Sequence, residues 1–285
     1  LRRSRPVNVA SVPLRSPFRY PGGKTWLVPY IRMWLRSVPR PDVFVEPFAG
    51  GAIAGLTVAF EDMAEHVIIA ELDEHVAAVW QTILMGQAHW LVRRILNYEL
   101  TVDNVRRTLA QSGRSNLAIR EKAFLTILRN RVQRGGIMAP GAGLVKMGEN
   151  NKGIRSRWYP ETLARRIGDI AAQREHISFY FGDGFRLLRE WAFEPRAVFF
   201  VDPPYTKAAR RLYNNWDINH RELFRVLEGV RGSFLVTYDY SEEVRRLAEE
   251  FGFQWRWVRM KNTHHAEMKE LLIAKQFDWF DAIEE

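Results

Sequence analysis

The sequence predicts an α/β fold built on a mostly parallel sheet, and two observations carry that prediction. Short apolar runs of strand type recur along the chain, at Val43-Phe44-Val45, Val67 to Ala70, Ile177 to Phe181, Ala197 to Val201, Ser233 to Thr237 and Leu271 to Ala274, with helix-compatible stretches between most of them. Glu46, Glu71, Asp183 and Asp202 each follow one of these runs. In a parallel sheet such positions share the carboxyl rim, where ligands bind.

Taken in order, residues 1 to 19 carry three prolines and several arginines without an apolar period, which predicts an extended arm. The first strand leads into Glu46-Pro47-Phe48-Ala49-Gly50-Gly51, and a helix-compatible stretch begins at Ala52, giving a strand, a glycine turn and a helix. The second strand ends on acidic Glu71 and Asp73. From about Val76 to Arg131 the apolar residues, among them Leu91, Ile95, Leu109, Ile119, Ala123 and Ile127, fall at helical spacings. Residues 134 to 157, rich in Gly, Lys, Arg and Asn, predict a flexible polar loop. Further helices are expected near 160 to 174, 219 to 230 and 241 to 251, and the alternation of Trp255 and Trp257 with Arg256 and Arg259 fits a half-buried strand.

Composition narrows the function classes. The 285 residues suffice for a catalytic domain carrying a smaller insert. Hydrophobic residues at 47% and charged residues at 26% argue for a globular chain and against wholesale disorder. No apolar run is long enough to cross a bilayer and no signal-peptide core is present, so no membrane association and a cytoplasmic location are expected. The absence of cysteine excludes disulfides, thiolate metal sites and any cysteine nucleophile. The net charge of +9 is localised: residues 93 to 166 hold 16 Lys/Arg against 5 Asp/Glu, leaving 26 against 28 elsewhere. Such a cluster suits a nucleic-acid backbone, and it equally suits a solvated helical surface.

Asp202-Pro203-Pro204-Tyr205 carries the chemistry. Two consecutive prolines cannot continue a sheet ladder, so the chain leaves its strand rigidly with the Asp carboxylate and a backbone carbonyl at the end. An amino nitrogen conjugated to an aromatic ring is a poor nucleophile. The Asp202 carboxylate and the Pro203 carbonyl offer acceptors for its two N–H groups, and Tyr205 offers a face for the base, worth about 1–3 kcal/mol. The same tetrapeptide is also an ordinary strand end followed by a proline turn.

At this point the chain resembles the Dam-type, D12 class adenine-N6 DNA methyltransferases. Phe18-Arg19-Tyr20-Pro21-Gly22-Gly23-Lys24 is similar to that family's N-terminal cofactor motif, Val45 to Gly51 to its glycine-rich motif and Asp202 to Tyr205 to its catalytic motif. Arg129-Asn130-Arg131 to Gly136 and Lys269 to Ile273 fit more weakly. The resemblance implies a Rossmann-like S-adenosylmethionine-dependent methyltransferase sheet, formed by residues 1–80 and 164–285, with an inserted and mainly helical target-recognition domain over 81–163. It implies that Tyr20 and Lys24 lie against the methionine part of the cofactor, with Glu46, Pro47, Phe48, Gly50 and Gly51 in the turn beside it. Glu71, with Asp73 nearby, would take the ribose hydroxyls, and Asp183 would lie near the cofactor's adenine. Asp202 would border both cofactor and target. The partner implied is double-stranded DNA, from which the target adenine is flipped. Tyr205, Tyr213 and Trp216 are candidates for its pocket, though the last two equally suit packing. Arg129, Arg131, Arg134, Lys146, Lys152, Arg155 and Arg157 are the expected DNA contacts. A cognate restriction endonuclease is a further partner such an enzyme can have, and the oligomeric state is not legible.

Other motifs fail on inspection. Gly23-Lys24-Thr25 ends like a P-loop, but position 18 is Phe where that motif needs Gly. Gly50, Gly51 and Gly55 lack dinucleotide-fingerprint spacing, and His264-His265 has no suitably spaced partners for a metal. A cytosine-C5 transferase needs a cysteine. Cytosine-N4 or RNA amino-methylation, and a non-catalytic DNA-binding scaffold, stay open as alternatives.

Overall fold

The computed structural model describes residues 12–19, 23–114, 116–134, 142–204, 219–261 and 267–281. A short 3-10 turn at Lys24–Leu27 runs into α1 (Val28–Ser37), which begins with Pro29 in its first turn, where a missing N–H costs nothing. Then follow β1 (Val43–Glu46), α2 (Ile53–Phe60), β2 (His66–Glu71) and α3 (Glu74–Thr82). A π-helical turn at Ile83–Gln87, kinked at Gly86 with φ of 87°, redirects the chain into α4 (Ala88–Leu96). Next come α5 (Val102–Leu109), α6 (Ile119–Val132) and α7 (Pro160–Ala172). The remainder alternates: β3 (Ile177–Phe181), α8 (Gly184–Trp191), β4 (Ala197–Val201), α9 (His220–Glu228), β5 (Ser233–Asp239), α10 (Glu242–Glu250), β6 (Gln254–Lys261), β7 (Glu267–Ala274) and α11 (Asp278–Asp281).

The seven strands form one sheet in the order β3-β2-β1-β4-β5-β7-β6. The first five are parallel, and β7 enters antiparallel between β5 and β6. This is a doubly wound, Rossmann-like sheet whose order reverses between β1 and β4, the crevice in which such sheets bind ligands. The mixed α/β expectation therefore holds, and the reversal puts Glu46 and Asp202 on either side of one opening.

Strand parity divides the core in two. Phe44, Val67, Ile69, Val198, Phe200, Leu235 and Leu272 point into one apolar cluster, while Val45, Phe199, Val201, Val236, Leu271 and Ile273 point into the other. Both faces are thus covered, which is why the central strands read as continuous apolar runs. The first cluster also takes in Leu91, Ile95, Phe124, Ile127 and Trp158, so the helices between β2 and β3 share a core with the sheet.

The stretch expected as a flexible polar loop is packed where it is described. Gln133 bridges Leu144, 3-10 turns occupy Glu149–Asn151 and Gly153–Arg157, and Val145, Ile154, Ser156 and Trp158 are buried. Polar composition hid the few apolar anchors that hold it. The arm, described from residue 12, forms neither helix nor strand over 12–19 and is docked, with Val12 and Phe18 buried and Arg15 donating to Glu61 at 2.9 Å. Helices α1 and α8 were not anticipated.

Candidate active site

The rim at the reversal is built by strand ends. Val201 is the last residue of β4, and Asp202 follows it with a quarter of its side chain exposed. Thr237, fully buried in β5, donates from Oγ1 to Asp202 Oδ1 at 2.8 Å. Lys24 Nζ stands 3.3 Å from the same oxygen and also donates to Glu270 Oε1. Lys24 and Glu270 are only 4% and 2% exposed, so neither charge has water to fall back on. Burial alone would lower the Lys24 ammonium, but Asp202 and Glu270 outweigh it and hold it above the usual lysine range.

The glycine turn after β1 is pinned at several points. Ala49 N–H donates to Ala70 C=O at 2.9 Å and Trp80 Nε1 donates to Gly50 C=O at 3.0 Å. Gly50 has φ of 47°, a region glycine enters without penalty. Helix α2 is preceded at its N-cap by Ala52, which has no capping side chain, and Glu46 supplies the cap from the strand end by accepting from Gly55 N–H at 2.7 Å. Glycine is required at 55, since a Cβ there would come within 2.8 Å of Glu46 Oε2 and 2.9 Å of Ile69. Burial pushes the Glu46 carboxyl up to about 8, opposed by the Gly55 and Ala54 N–H groups and reinforced by Asp202. Glu46, expected beside the cofactor, therefore sits 3% exposed beneath the turn and acts on the helix start.

Glu71, at the end of β2, accepts at Oε1 from Leu72 and Asp73 N–H, both at 2.9 Å, and at Oε2 from Gly50 N–H at 3.0 Å. It ties the β1 turn to the β2 end. Desolvation pushes it up to about 7, against the pull of these N–H groups. Asp73 caps α3, accepting from His75 N–H at 2.8 Å, and Asp183 caps α8, accepting from Phe185 N–H at 2.9 Å. Gly184 is forced by contact, because a Cβ would meet Pro47 O at 2.2 Å. Phe48 stacks edge-on against Phe185 at 5.9 Å. Gly51, Pro47 and Phe48 thus lie in one pinned turn between β1 and α8, and Pro203 and Pro204 carry the chain away from β4.

Sequence reasoning missed three polar residues here. Glu270 was part of a weakly matching segment without a role, Thr237 is a lone polar residue in an apolar strand, and Asp239 ends β5 opposite Glu270 in register. Burial raises Asp239, with Lys24 opposing and Asp202 adding to the rise. Period-two parity was the available signal: residues 202, 237 and 270 share the face of Phe200, Leu235 and Leu272. Two exposed apolar side chains at the rim were also missed, Leu72 after β2 and Phe181 ending β3, about half accessible at 48% and 50%.

Of the expected DNA contacts, Arg134, Lys146, Lys152 and Arg155 are exposed, and Arg157 and Arg129 are partly buried, Arg129 within the field of Asp73. Arg131 is different. It is 4% exposed and donates to Pro17 C=O, so it braces the arm from inside instead of facing solvent. Tyr20, Tyr205, Tyr213 and Trp216 lie outside the described residues. Among the described residues no helix is long and apolar enough to cross a membrane.

Comparisons with known proteins add the following. No curated protein matches the chain. Among solved structures it is similar to the Bacillus subtilis M1A22 tRNA methyltransferase TrmK, at 10% identity and a TM-score of 0.38, covering 88% of this chain and 67% of that one. It is similar to Thermotoga maritima spermidine synthase at 11% identity and a TM-score of 0.38, covering 88% of this chain and 58% of that one. These likenesses are distant, and strand order is what defines the fold. Asp202 lies beyond the segment that a family model covers, whereas Lys24, the glycine turn, Glu71 and Arg129 to Arg131 lie inside it. Over residues 20–136 the chain matches the family model of the D12 class N6 adenine-specific DNA methyltransferases.

Proposed function

We propose that the chain methylates the N6 amine of adenine in double-stranded DNA, using S-adenosylmethionine. The observation that carries this reading is the setting of Asp202: a carboxylate at the sheet's reversal point, fixed at one oxygen by Thr237 and Lys24 and followed by two prolines. Such an acceptor holds an N–H of the target amine in a fixed direction, with the Pro203 carbonyl as the second acceptor, and the lone pair is presented without a nucleophilic side chain. When bound, S-adenosylmethionine supplies an electrophilic methyl group on a cationic sulfur.

The donor set fits that group. The rim gathers Asp202, Asp239, Glu71, Asp73 and Asp183, so its field favours a cation. Leu72 and Phe181 offer apolar faces beside Asp183 for an adenine ring, and the turn residues Pro47, Phe48, Gly50 and Gly51 offer a close backbone approach. Lys24 and Tyr20 would bind the methionine part. Glu71 holds the turn and keeps acceptor capacity for ribose hydroxyls.

Residues 81–163 serve, in this reading, as the target-recognition segment, with Arg134, Lys146, Lys152 and Arg155 contacting DNA and Arg129 and Arg157 at its edge. Tyr205, Tyr213 and Trp216 would receive the flipped base. Expression in methylation-free cells followed by single-molecule mapping of modified bases tests the proposal. N6-methyladenine in one sequence context is expected; unmodified DNA, or N4-methylcytosine in its place, would overturn it.

A further inference from the structure

Three side chains from the segment between β2 and β3 close on the N-terminal arm just before the Tyr20 to Lys24 motif. Asn130, on α6 and fully buried, accepts at Oδ1 from Arg19 N–H and donates from Nδ2 to Arg19 C=O, both at 2.9 Å. This is the two-way pairing a neighbouring strand would provide, made by one amide. Arg131 donates to Pro17 C=O, and Arg166 of α7 donates from Nη1 to Ser16 C=O at 3.2 Å. In these four bonds the arm contributes main-chain groups, so they fix the path of the backbone whatever side chains it carries.

Packing alone would not call for these residue types. An apolar side chain of similar size fills space without the desolvation cost of a guanidinium, yet Arg131 is 4% exposed. Burial, and then the charges of Arg166 and Arg19, push it down. What the polar groups add is direction. Only four residues separate Arg19 from Lys24, whose ammonium must reach Asp202 and Glu270. Fixing Arg19 therefore constrains Lys24.

We propose that Asn130, supported by Arg131 and Arg166, is a positioning residue for Lys24 and through it for S-adenosylmethionine, so that the helices between β2 and β3 help to set cofactor affinity. The inference rests on the methyltransferase reading. Without the clamp the arm loses its main-chain partners and Lys24 loses its upstream anchor, which weakens affinity more than it slows transfer.

Calorimetry with S-adenosylmethionine on the wild type, Asn130→Ala, Asn130→Asp and Arg166→Gln tests it, together with transfer rates at saturating cofactor. The expected result is a Kd raised about tenfold by Asn130→Ala and about threefold by Arg166→Gln, with a smaller loss in transfer rate. Asn130→Asp keeps the acceptor, loses the donor and falls between wild type and alanine. Folded variants that bind as tightly as wild type overturn the proposal. Should Asn130→Ala fail to fold, Arg166→Gln decides, since its partly buried side chain makes a single bond to the arm. A wild type that binds no cofactor overturns the methyltransferase reading as well; unchanged variants beside a binding wild type overturn the clamp alone.

Discussion

Lys24 Nζ lies 3.3 Å from Asp202 Oδ1 while its other partner is Glu270, a carboxylate 2% exposed on the antiparallel strand β7. One ammonium serves two carboxylates. Because Thr237 addresses the same oxygen of Asp202, the carboxylate is turned in one direction, and the antiparallel insertion of β7 is what brings Glu270 within reach.

Removing the acceptor should end the reaction without ending binding. Asp202→Ala is expected to abolish transfer of labelled methyl groups while DNA affinity stays within a few-fold. Thr237→Val, which removes only the orienting hydroxyl, should slow transfer about fivefold, in keeping with about 1 kcal/mol for one hydrogen bond. Full activity of Asp202→Ala would eliminate the direct-transfer scheme.

The buried pair predicts a double-mutant signature in stability. Lys24→Met leaves Glu270 buried without its ammonium and should cost about 3–5 kcal/mol in urea denaturation, and Lys24→Met with Glu270→Met should recover most of that. The Lys24 ammonium is held above its ordinary value of 10.5, so its contribution is complete below that pH and is lost only as the pH climbs through the higher folded value. Equal losses in the single and double variants would show that the pair is not coupled.

Glu46 predicts a pH dependence of the same sign in a lower window. Its carboxyl is raised to about 8 from 4.5, so the folded state holds a proton that the unfolded chain gives up between these values. Stability from this group is complete below about 4.5 and declines as the pH rises toward 8. Glu46→Gln, which keeps an acceptor for Gly55 N–H, should therefore gain in Tm relative to wild type as the pH goes from 5 to 8. A constant difference across that range would contradict the assignment.

Charge on the recognition segment can be read from salt dependence. Arg155→Ala and Lys152→Ala, both at exposed positions, should each reduce the slope of log affinity against log salt by about 0.9. Arg131→Ala should leave the slope alone and lower Tm, because its guanidinium is engaged by Pro17 within the protein. Fluorescence anisotropy over a salt series separates the two behaviours.

Much of this was legible in the sequence because the central strands are buried on both faces and advertise themselves as apolar runs. The acidic residues that follow them therefore located the rim. Glu270 escaped because its partner, Lys24, lies 246 positions away and because β7 runs against the other strands. Glu46 was expected in the turn beside the cofactor, and its capping of α2 was not legible, since nothing in the local sequence tells a capping carboxylate from a binding one. Arg131 was placed on the surface for a similar reason. Its charge counted toward a basic cluster, whereas the arm it braces is more than a hundred residues upstream.

Leu91, Ile95, Phe124, Ile127 and Trp158 belong to the same apolar cluster as Phe44, Val67 and Phe200 of the sheet. A segment cored in this way is not a cassette. Excised, it would present those side chains to water, and replaced wholesale by a foreign segment it would strip one face of the sheet of its cover. Under the proposed function, new target preferences would come from substitution at exposed positions such as Lys146, Lys152 and Arg155, while the helices that share the sheet's core are constrained by the strands they shield.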